Sequence, residues 1–292
     1  MVTWIYNMEH KFGGSWTELK LDTLRQYLKF YTTALNQKFR LHYIDGFAGI
    51  GHVTIKEGSK EKLIDGSARI AIETDPPFDQ IHLIDTSLEH VGELQQLCAN
   101  YPDRECHILH GDANLEIRNL LEKINWGRNE RAVLFLDPYG MEVEWSTLEV
   151  IANTRAIDLW FLFPLSGLYR NTPRQYTAMD EHKKNAITRC LGTESWMDAF
   201  YEESPQQELF GPSAVTRIAE WNDLLMFVQK RLGKVFPKVA DPLILPPEGA
   251  PLFALFFAIS NPSKAAIKLS MKVAQHILKS KQPTDTRSRG GH

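Results

Sequence analysis

Continuous apolar runs recur along the first 165 residues and alternate with segments of helical period. The runs cover residues 41–45, 80–85, 106–109, 132–137 and 157–163. The segments of helical period cover residues 16–36, 66–74, 87–99, 113–124 and 146–153. Apolar runs without alternation are typical of strands buried on both faces. The pattern therefore predicts an α/β fold, with a mostly parallel central sheet and helices on both faces.

The rhythm changes after Pro164. Residues 168–235 carry mostly helical patterns, including one at 214–232, and no convincing strand. An apolar run at 252–260 then predicts a last sheet strand, and residues 263–280 predict a final amphipathic helix. The segment at about 168–235 is therefore interpreted as a helical insertion between sheet strands.

Two further segments lack any hydrophobic period. Residues 53–65 are polar and rich in Lys, Glu and Gly, which predicts a loop. Residues 282–292 are polar, which predicts a disordered tail. We predict a single domain over residues 1–281.

Composition narrows the class of protein. The chain has 292 residues, 43% hydrophobic and 24% charged, which excludes a fibrous or a disordered protein. The longest apolar run, 250–259, is about half of a bilayer span, so no membrane segment is expected. Residues 1–10 lack the pattern of a secretion signal. The 3 cysteines show no CxxC spacing, so neither a disulfide framework nor a structural zinc site is expected. We therefore expect the protein to be located in the reducing cytoplasm.

Charge is divided unevenly along the chain. Residues 1–150 carry 15 Lys and Arg against 23 Asp and Glu, whereas residues 151–292 carry 18 against 13. The cations of the second half form three loose groups, at 170–189, 230–238 and 264–281. These groups are either solvated helix faces or surfaces that contact phosphates, and a sequence pI near 6.4 favours the first interpretation.

Acidic residues follow four of the predicted strands. Strand one ends in Asp45 and the glycine-rich run 46–51, and strand two ends in Asp85. Asp112 follows strand three, and Asp137 ends strand four. A single strand-end Asp is commonly a turn or helix-capping residue. Four at one sheet edge, where open parallel sheets bind ligands, indicate a site instead.

The residue types select the ligand of this site. The glycines permit close backbone approach, but their GxxGxG order is not the dinucleotide GxGxxG, and there is no P-loop. Asp85 suits the two hydroxyls of a ribose, and Asp112 suits an exocyclic adenine amine. Asp45 would repel a pyrophosphate and suits an ammonium group instead. A nucleoside with a cationic amino-acid tail is S-adenosylmethionine, which we predict as the cofactor.

These residues resemble a known family. The run DGFAGIG at 45–51 is similar to motif I of class I S-adenosylmethionine-dependent methyltransferases, in the DxFAGxG form, and two strand-end acids match motifs II and III. The run DPYG at 137–140 is similar to motif IV, (D/N/S)PP(Y/F/W), of amino-methyltransferases. The resemblance implies a Rossmann-like fold. The cofactor-binding residues that it implies are Asp45, Gly46, Phe47, Ala48, Gly49, Gly51, Asp85, Asp112 and Ala113. The catalytic residues that it implies are Asp137, Pro138 and Tyr139.

A narrower resemblance covers most of the chain. The runs LKLDTLRQYL, YIDGFAGIG, DGSARIAI, LDPYG and PLFALFFAIS are similar to the three-Cys-motif partner (TcmP) family. That resemblance implies a partner protein bearing three cysteines. A similar LDPFG motif occurs in tRNA guanine-N2 dimethyltransferases, so RNA stands beside DNA and protein as a methyl acceptor.

The sequence departs from motif IV because its second Pro is missing. In amino-methyltransferases the acid and the next carbonyl accept hydrogen bonds from the target amine, and the aromatic side chain stacks on a flipped base. By analogy Asp137 would polarise the amine and Tyr139 would stack, but the aromatic is displaced by one position. Lys20, with Trp16 beside it, could face the methionine carboxylate, although a solvated lysine is the simpler interpretation.

Three functions follow. The first is a methyltransferase acting on a nitrogen, with a nucleic acid as the favoured acceptor. The second is a non-catalytic or partner-dependent module that binds S-adenosylmethionine and works with the three-cysteine protein. The third, a nicotinamide-dependent oxidoreductase, is disfavoured by the glycine order and by Asp45.

Overall fold

The computed structural model describes residues 15–57, 60–127, 129–203, 215–246 and 249–282, and every structural statement below concerns these residues. The strands are β1 (Arg40–Asp45), β2 (His52–Glu57), β3 (Lys60–Asp65), β4 (Gln80–Asp85), β5 (Cys106–His110), β6 (Glu130–Leu136), β7 (Ile157–Phe163), β8 (Tyr201–Glu203), β9 (Val215–Arg217), β10 (Lys238–Val239), β11 (Leu243–Leu245) and β12 (Phe253–Ile259). The helices are α1 (Ser15–Leu35), α2 (Ser67–Ile72), α3 (Leu88–Ala99), α4 (Ala113–Lys123), α5 (Trp145–Asn153), α6 (Leu165–Asn171), α7 (Glu181–Leu191), α8 (Trp196–Phe200), α9 (Trp221–Val235) and α10 (Lys264–Ser280).

The central sheet has the order β10-β12-β7-β6-β1-β4-β5, with β11 also pairing with β12. The five strands from β5 to β7 are parallel, and β12 lies antiparallel to β7. From β1 the chain first builds the sheet in one direction through β4 and β5, and then in the other through β6 and β7. The order therefore reverses at β1, which makes the gap between the ends of β1 and β6 the ligand-binding position of an open sheet.

Hydrophobic cores cover both faces of the sheet. Helices α1, α2, α3 and α10 bury their apolar sides on one face, and α4, α5 and α6 to α9 bury theirs on the other. All seven residues of β7 are buried, as the absence of alternation predicts for a strand covered on both sides. The predicted α/β fold, with a mostly parallel central sheet and helices on both faces, is confirmed, as is a predominantly helical segment between β7 and β12.

The predicted loop at 53–65 is wrong, because this segment forms the antiparallel hairpin β2–β3. The two strands pair only with each other, so they need few apolar residues and lack the long apolar runs that marked the other strands. Ile55 is buried, and Val53 and Ile64 pack against the core beneath the hairpin. Arg25 and Lys62 form ion pairs with Asp65 and Glu18, which tie the hairpin to helix α1.

The insertion at 168–235 also differs in detail from the prediction. It contains the short strands β8 and β9, whereas the sequence showed none, and the helix predicted at 214–232 starts only at Trp221. Strands of three residues carry too little pattern to be recognised. The predicted tail lies outside the described residues from 283 onward, and the single-domain boundary stays a prediction. None of the described helices combines the length and the apolar character needed to cross a membrane.

A buried carboxylate joins three elements on the α1 face of the sheet. Asp158 of β7 accepts hydrogen bonds from the Tyr27 hydroxyl at 2.5 Å and the Ser270 hydroxyl at 2.9 Å. Burial raises the pKa of Asp158 to about 6, although the two hydroxyl donors oppose this shift. Asp158 therefore connects the sheet to α1 and α10, and its ionised form is disfavoured because the carboxylate is buried away from water.

The first prediction concerns the pH dependence of stability. Because the folded-state pKa of Asp158 lies above its unfolded value, the folded state binds the proton more tightly, and stability is lost as pH rises through about 6. We expect Asp158→Asn, which keeps an acceptor oxygen, to lack this loss. The free energy of unfolding of wild type should fall relative to that of the variant between about pH 4 and pH 7. Urea titrations across that range test it, and parallel pH profiles for the two proteins would contradict it.

Candidate active site

The four strand-end acids lie at one edge of the sheet. Asp45 ends β1, between β4 and β6, and its register partners are Leu83 and Phe135. Asp85 ends β4, Asp112 lies two residues after the end of β5, and Asp137 directly follows β6. Since β5, β4, β1 and β6 are consecutive in the sheet, the acids line one continuous edge.

The glycine-rich run crosses this edge as a tight loop held by neighbouring strands. Gly46 N–H donates to the Phe135 carbonyl of β6 at 3.0 Å, and Ala48 N–H donates to the Ile84 carbonyl of β4 at 3.0 Å. Gly49 has a φ of +61°, a conformation that favours glycine, and a Cβ added there would meet nothing within 4 Å. The loop is thus closely attached to the sheet beneath it and open at Gly49.

Asp45 is the anchor of the loop. Its side chain is fully buried, and it accepts hydrogen bonds from the Tyr43 hydroxyl at 2.9 Å and from Phe47 N–H at 3.2 Å. Burial raises the pKa of Asp45 to about 6, and hydrogen bonds from Ser67 and Tyr43 act in the opposite direction. The sequence interpretation had Asp45 facing a ligand ammonium, whereas the structure places it beneath the loop.

Asp85 combines a structural role with partial access to solvent. Its carboxylate accepts hydrogen bonds from Gly49 N–H at 2.9 Å and Ser87 N–H at 2.8 Å, and one oxygen lies 3.1 Å from His90 Nδ1. The side chain is nevertheless 12% exposed. Asp85 therefore fixes the loop at Gly49 and still faces the open side of the edge.

Asp112 acts as the N-cap of helix α4. Its carboxylate accepts a hydrogen bond from Leu115 N–H at 3.0 Å, which is the capping role common for a strand-end Asp. The side chain is exposed, and Ala113 behind it is buried. One oxygen of Asp112 is therefore committed to the helix, at a position that a ligand can reach.

Sequence reasoning missed Asn114, which holds the loop that follows β6. This buried side chain donates to the Glu142 carbonyl at 3.0 Å and accepts from Glu144 N–H and the Thr147 hydroxyl, each at 2.9 Å. Both its amide nitrogen and its amide oxygen are used in joining α4 to the segment after Gly140. The only signal in the sequence was its place directly after Asp112 and Ala113.

Lys20 forms an ion pair with Asp137, so its interpretation as a solvated lysine is wrong. The Lys20 side chain is 7% exposed, and its ammonium donates to one carboxylate oxygen of Asp137, which is 24% exposed. The ammonium also lies 5.6 Å from the centre of the Trp16 ring. The helical pattern of α1 could not show this, because the contact depends on where α1 packs relative to the end of β6.

Tyr139 projects from the motif that contains Asp137. Its side chain is 73% exposed, and its backbone N–H donates to the Glu142 carboxylate at 3.1 Å. Pro138 lies between Asp137 and Tyr139 in the chain. An exposed aromatic ring two residues from a strand-end carboxylate is suitably placed to stack on a planar ligand.

The insertion contributes an ordered stack beside this loop. Tyr169 of α6 lies between Trp221, whose ring centre is 3.9 Å away at 9°, and Arg217, whose guanidinium is 3.8 Å from the ring. Arg217 also donates to the Tyr169 carbonyl at 3.0 Å. A Cβ added at Gly167, in the same helix, would lie 3.7 Å from Met141 Cγ, which places α6 against the segment after Tyr139.

In the part of the chain that the structure describes, no group of three or more His, Cys, Asp or Glu side chains could hold a metal ion. The candidate site consists instead of a glycine loop, carboxylates, one buried lysine and an exposed tyrosine.

No protein-family model matches the chain, and no curated protein matches it. Among solved structures, protein LPL1258 from Legionella pneumophila, of family model DUF519, is similar over 92% of this chain and 93% of its own, with a TM-score of 0.53 and 13% identity. A spermidine synthase solved with the transition-state analogue AdoDATO matches with a TM-score of 0.40 and 10% identity, over 88% of this chain and 62% of its own. An rRNA methylase from Streptococcus thermophilus matches with a TM-score of 0.30 and 12% identity, over 68% of this chain and 94% of its own. The first similarity shows a shared fold, and the other two are too distant to carry an argument.

Proposed function

We propose that the protein is an S-adenosylmethionine-dependent methyltransferase that methylates an amino nitrogen of a nucleic acid. The observation that carries the proposal is the reversal of strand order at β1. Because β1 and β6 are neighbours, the glycine loop after β1 lies next to Asp137 after β6. The loop that would bind the cofactor is therefore adjacent to the carboxylate that would bind the target amine.

The described residues fit the proposed cofactor. The open surface at Gly49 allows close approach of a ligand to the backbone, and the exposed part of Asp85 can accept hydrogen bonds from ribose hydroxyls. Leu88 and Leu115 are 71% and 51% exposed at the starts of the helices after β4 and β5, where they offer apolar contacts to a base. Asp45 supports this site from below.

The proposed chemistry needs positioning more than proton transfer. When bound, S-adenosylmethionine supplies an electrophilic methyl group on a sulfonium. Asp137 and the Pro138 carbonyl accept hydrogen bonds from the target amine and aim its lone pair, and Tyr139 stacks on the base that carries it. Transfer of that methyl group to the amine would leave S-adenosylhomocysteine, and the nitrogen would release one proton to solvent.

Calorimetric titration with S-adenosylmethionine and S-adenosylhomocysteine tests the cofactor site. We expect Asp85→Ala to weaken binding by about 100-fold, because it removes the ribose acceptor and releases Gly49 N–H from its partner. Asp103→Ala is the matched control, since it removes an exposed carboxylate from the turn before β5. Wild-type protein that binds neither compound, or an Asp85→Ala variant that binds as wild type does, would contradict the assignment.

A second function is favoured by the ion pair of Lys20. The carboxylate that must accept the amine already has a cationic partner, which suits a module that becomes active only with another protein. The resemblance to the TcmP family suggests a three-cysteine protein for that role. This alternative expects binding of S-adenosylmethionine and no methyl transfer by the isolated chain, and methylated product from the isolated chain would reject it.

A further inference from the structure

Helix α10 carries charge of a single sign on its solvent side. Its outward-facing basic residues recur at intervals of three or four, and all lie at least partly exposed: Lys264, Lys268, Lys272, His276 and Lys279. We name these five residues the α10 row. Four-residue steps on an α-helix advance about 6 Å along the axis, so the cations follow one another at short, regular spacing.

The α10 row has no anionic counterpart. No Asp or Glu occurs from residue 249 to residue 284, and no member of the row forms an ion pair within the described residues. Other surface helices mix the two signs, as in α1, where Glu18 and Asp22 accompany Arg25. The row is therefore a local feature, and the net charge of −3 shows that it does not reflect a basic chain.

This arrangement is unfavourable for the helix itself. Like charges four residues apart repel, and Lys264 lies in the first turn, where the helix dipole disfavours a cation. A solvated face needs no such uniformity, because alternating signs would stabilise the same helix. A polyanion that binds along the row would remove the repulsion.

The row leads toward the candidate active site. Helix α10 runs antiparallel to α1, because Val273 and Ile277 border a groove with Phe30 and Ala34, while Lys281 pairs with Asp22. Asp22 lies two residues after Lys20, which contacts Asp137. The last turn of α10 thus adjoins the turn of α1 that reaches into the site.

The apolar side of α10 is already in use. Met271, Ala274, Ile277 and Leu278 are buried in the core, and Leu269 is the one large apolar side chain of α10 that is exposed, so the helix offers no continuous apolar face to a lipid interface. A nucleic-acid backbone needs only an exposed row of cations, which neutralise its phosphates and release counterions.

We infer that the α10 row binds the phosphate backbone of a nucleic acid and guides it toward Asp137. This inference rests on the proposed function for the choice of polyanion. Binding is measured without cofactor or methyl transfer, so the two can fail separately.

The test is fluorescence anisotropy of a labelled 20-nucleotide RNA of mixed sequence at several salt concentrations. The variant Lys264→Gln, Lys268→Gln, Lys272→Gln and Lys279→Gln should bind at least about 10-fold more weakly than wild type. Its slope of log affinity against log salt should be shallower by about 3, because each phosphate that a cation neutralises on a single strand contributes about 0.7 to the slope. The control variant removes the same charge outside α10, at four exposed residues, and should keep the wild-type slope. Its substitutions are Lys123→Gln, Arg189→Gln, Lys230→Gln and Lys234→Gln.

Several results would overturn the inference. They are absence of RNA binding by wild type, equal reductions of affinity in both variants, and unchanged RNA binding by the α10 variant. Reduced binding to phosphatidylserine vesicles with RNA binding intact would assign the row to a membrane surface instead. Calorimetry with S-adenosylmethionine should give the same affinity for wild type and the α10 variant, and if neither binds it while the row still governs RNA binding, the proposed function fails and this inference stands.

Discussion

Replacing Asp137 with alanine is expected to lower methyl transfer by at least about 100-fold while leaving the affinity for S-adenosylmethionine within about threefold of wild type. The physical reason is that a preorganised hydrogen-bonding group beside the reacting atom contributes roughly this factor. The proposed cofactor site consists instead of the glycine loop and Asp85, and none of the hydrogen bonds described for that loop involves Asp137. Single-turnover transfer of radiolabelled methyl groups to pooled unmodified RNA and DNA measures the first quantity, and calorimetry measures the second.

The ion pair with Lys20 calls for controls of stability. Asp137→Ala leaves the buried Lys20 ammonium without its partner, at a cost of up to about 3 kcal/mol, since Asp137 is itself a quarter exposed. Adding Lys20→Met removes that charge and should restore stability without restoring transfer. Asp137→Asn keeps an acceptor oxygen and should retain part of the activity. Wild-type transfer rates in Asp137→Ala would sink the role assigned to this residue.

Gly192→Ala is expected to destabilise the fold by about 2–5 kcal/mol. Gly192 ends helix α7 with a φ of +63°, and a Cβ there would lie 2.1 Å from Cγ of Trp145. The Trp145 ring cannot easily retreat, because it is buried in the core and Arg231 lies over it at 4.5 Å. The substitution therefore combines a left-handed backbone with displacement of a large side chain that joins the insertion to α5.

Gly233→Ala is the matched control for that experiment. Gly233 lies within helix α9, and a Cβ there would meet nothing within 4 Å. Alanine is the better helix former by up to about 1 kcal/mol, so this variant should be slightly more stable than wild type. Urea unfolding of both variants measures the difference, and equal stabilities of the two would show that neither the backbone of Gly192 nor its contact with Trp145 constrains the fold.

The central sheet could be predicted because its strands are buried on both faces. The run that became β7 is apolar at every position but Asp158, which is typical of a strand covered on both faces. The acids that follow such strands fall at one edge, because the carboxyl ends of parallel strands lie on the same side of the sheet. Hairpin β2–β3 escaped prediction because Val53 and Ile55 are the only apolar residues of β2, and two alternating positions are too few to indicate a strand. A short two-stranded hairpin buries few side chains, so its sequence shows little alternation of apolar and polar residues.

The candidate site could be located from the sequence, but not its internal contacts. The position of Asp45 at a strand end predicted its neighbourhood, whereas its depth depends on how Tyr43 and Ser67 close around it. Lys20 is more than a hundred residues from Asp137, and only the packing of α1 against the sheet brings them together. Spacing along the chain carries no information about such a pair.

The place of β12 in the sheet has a consequence for synthesis on the ribosome. This strand pairs with β7 along its whole length, yet about 90 residues separate the end of one from the start of the other. At about 5–20 residues per second, the apolar edge of β7 emerges several seconds before its neighbour exists. During that interval an unpaired strand edge that is apolar at every position but Asp158 is available to other nascent chains. The described strands β8 and β9 of the insertion pair with each other and not with β7, so this edge stays unpaired until β12 is made.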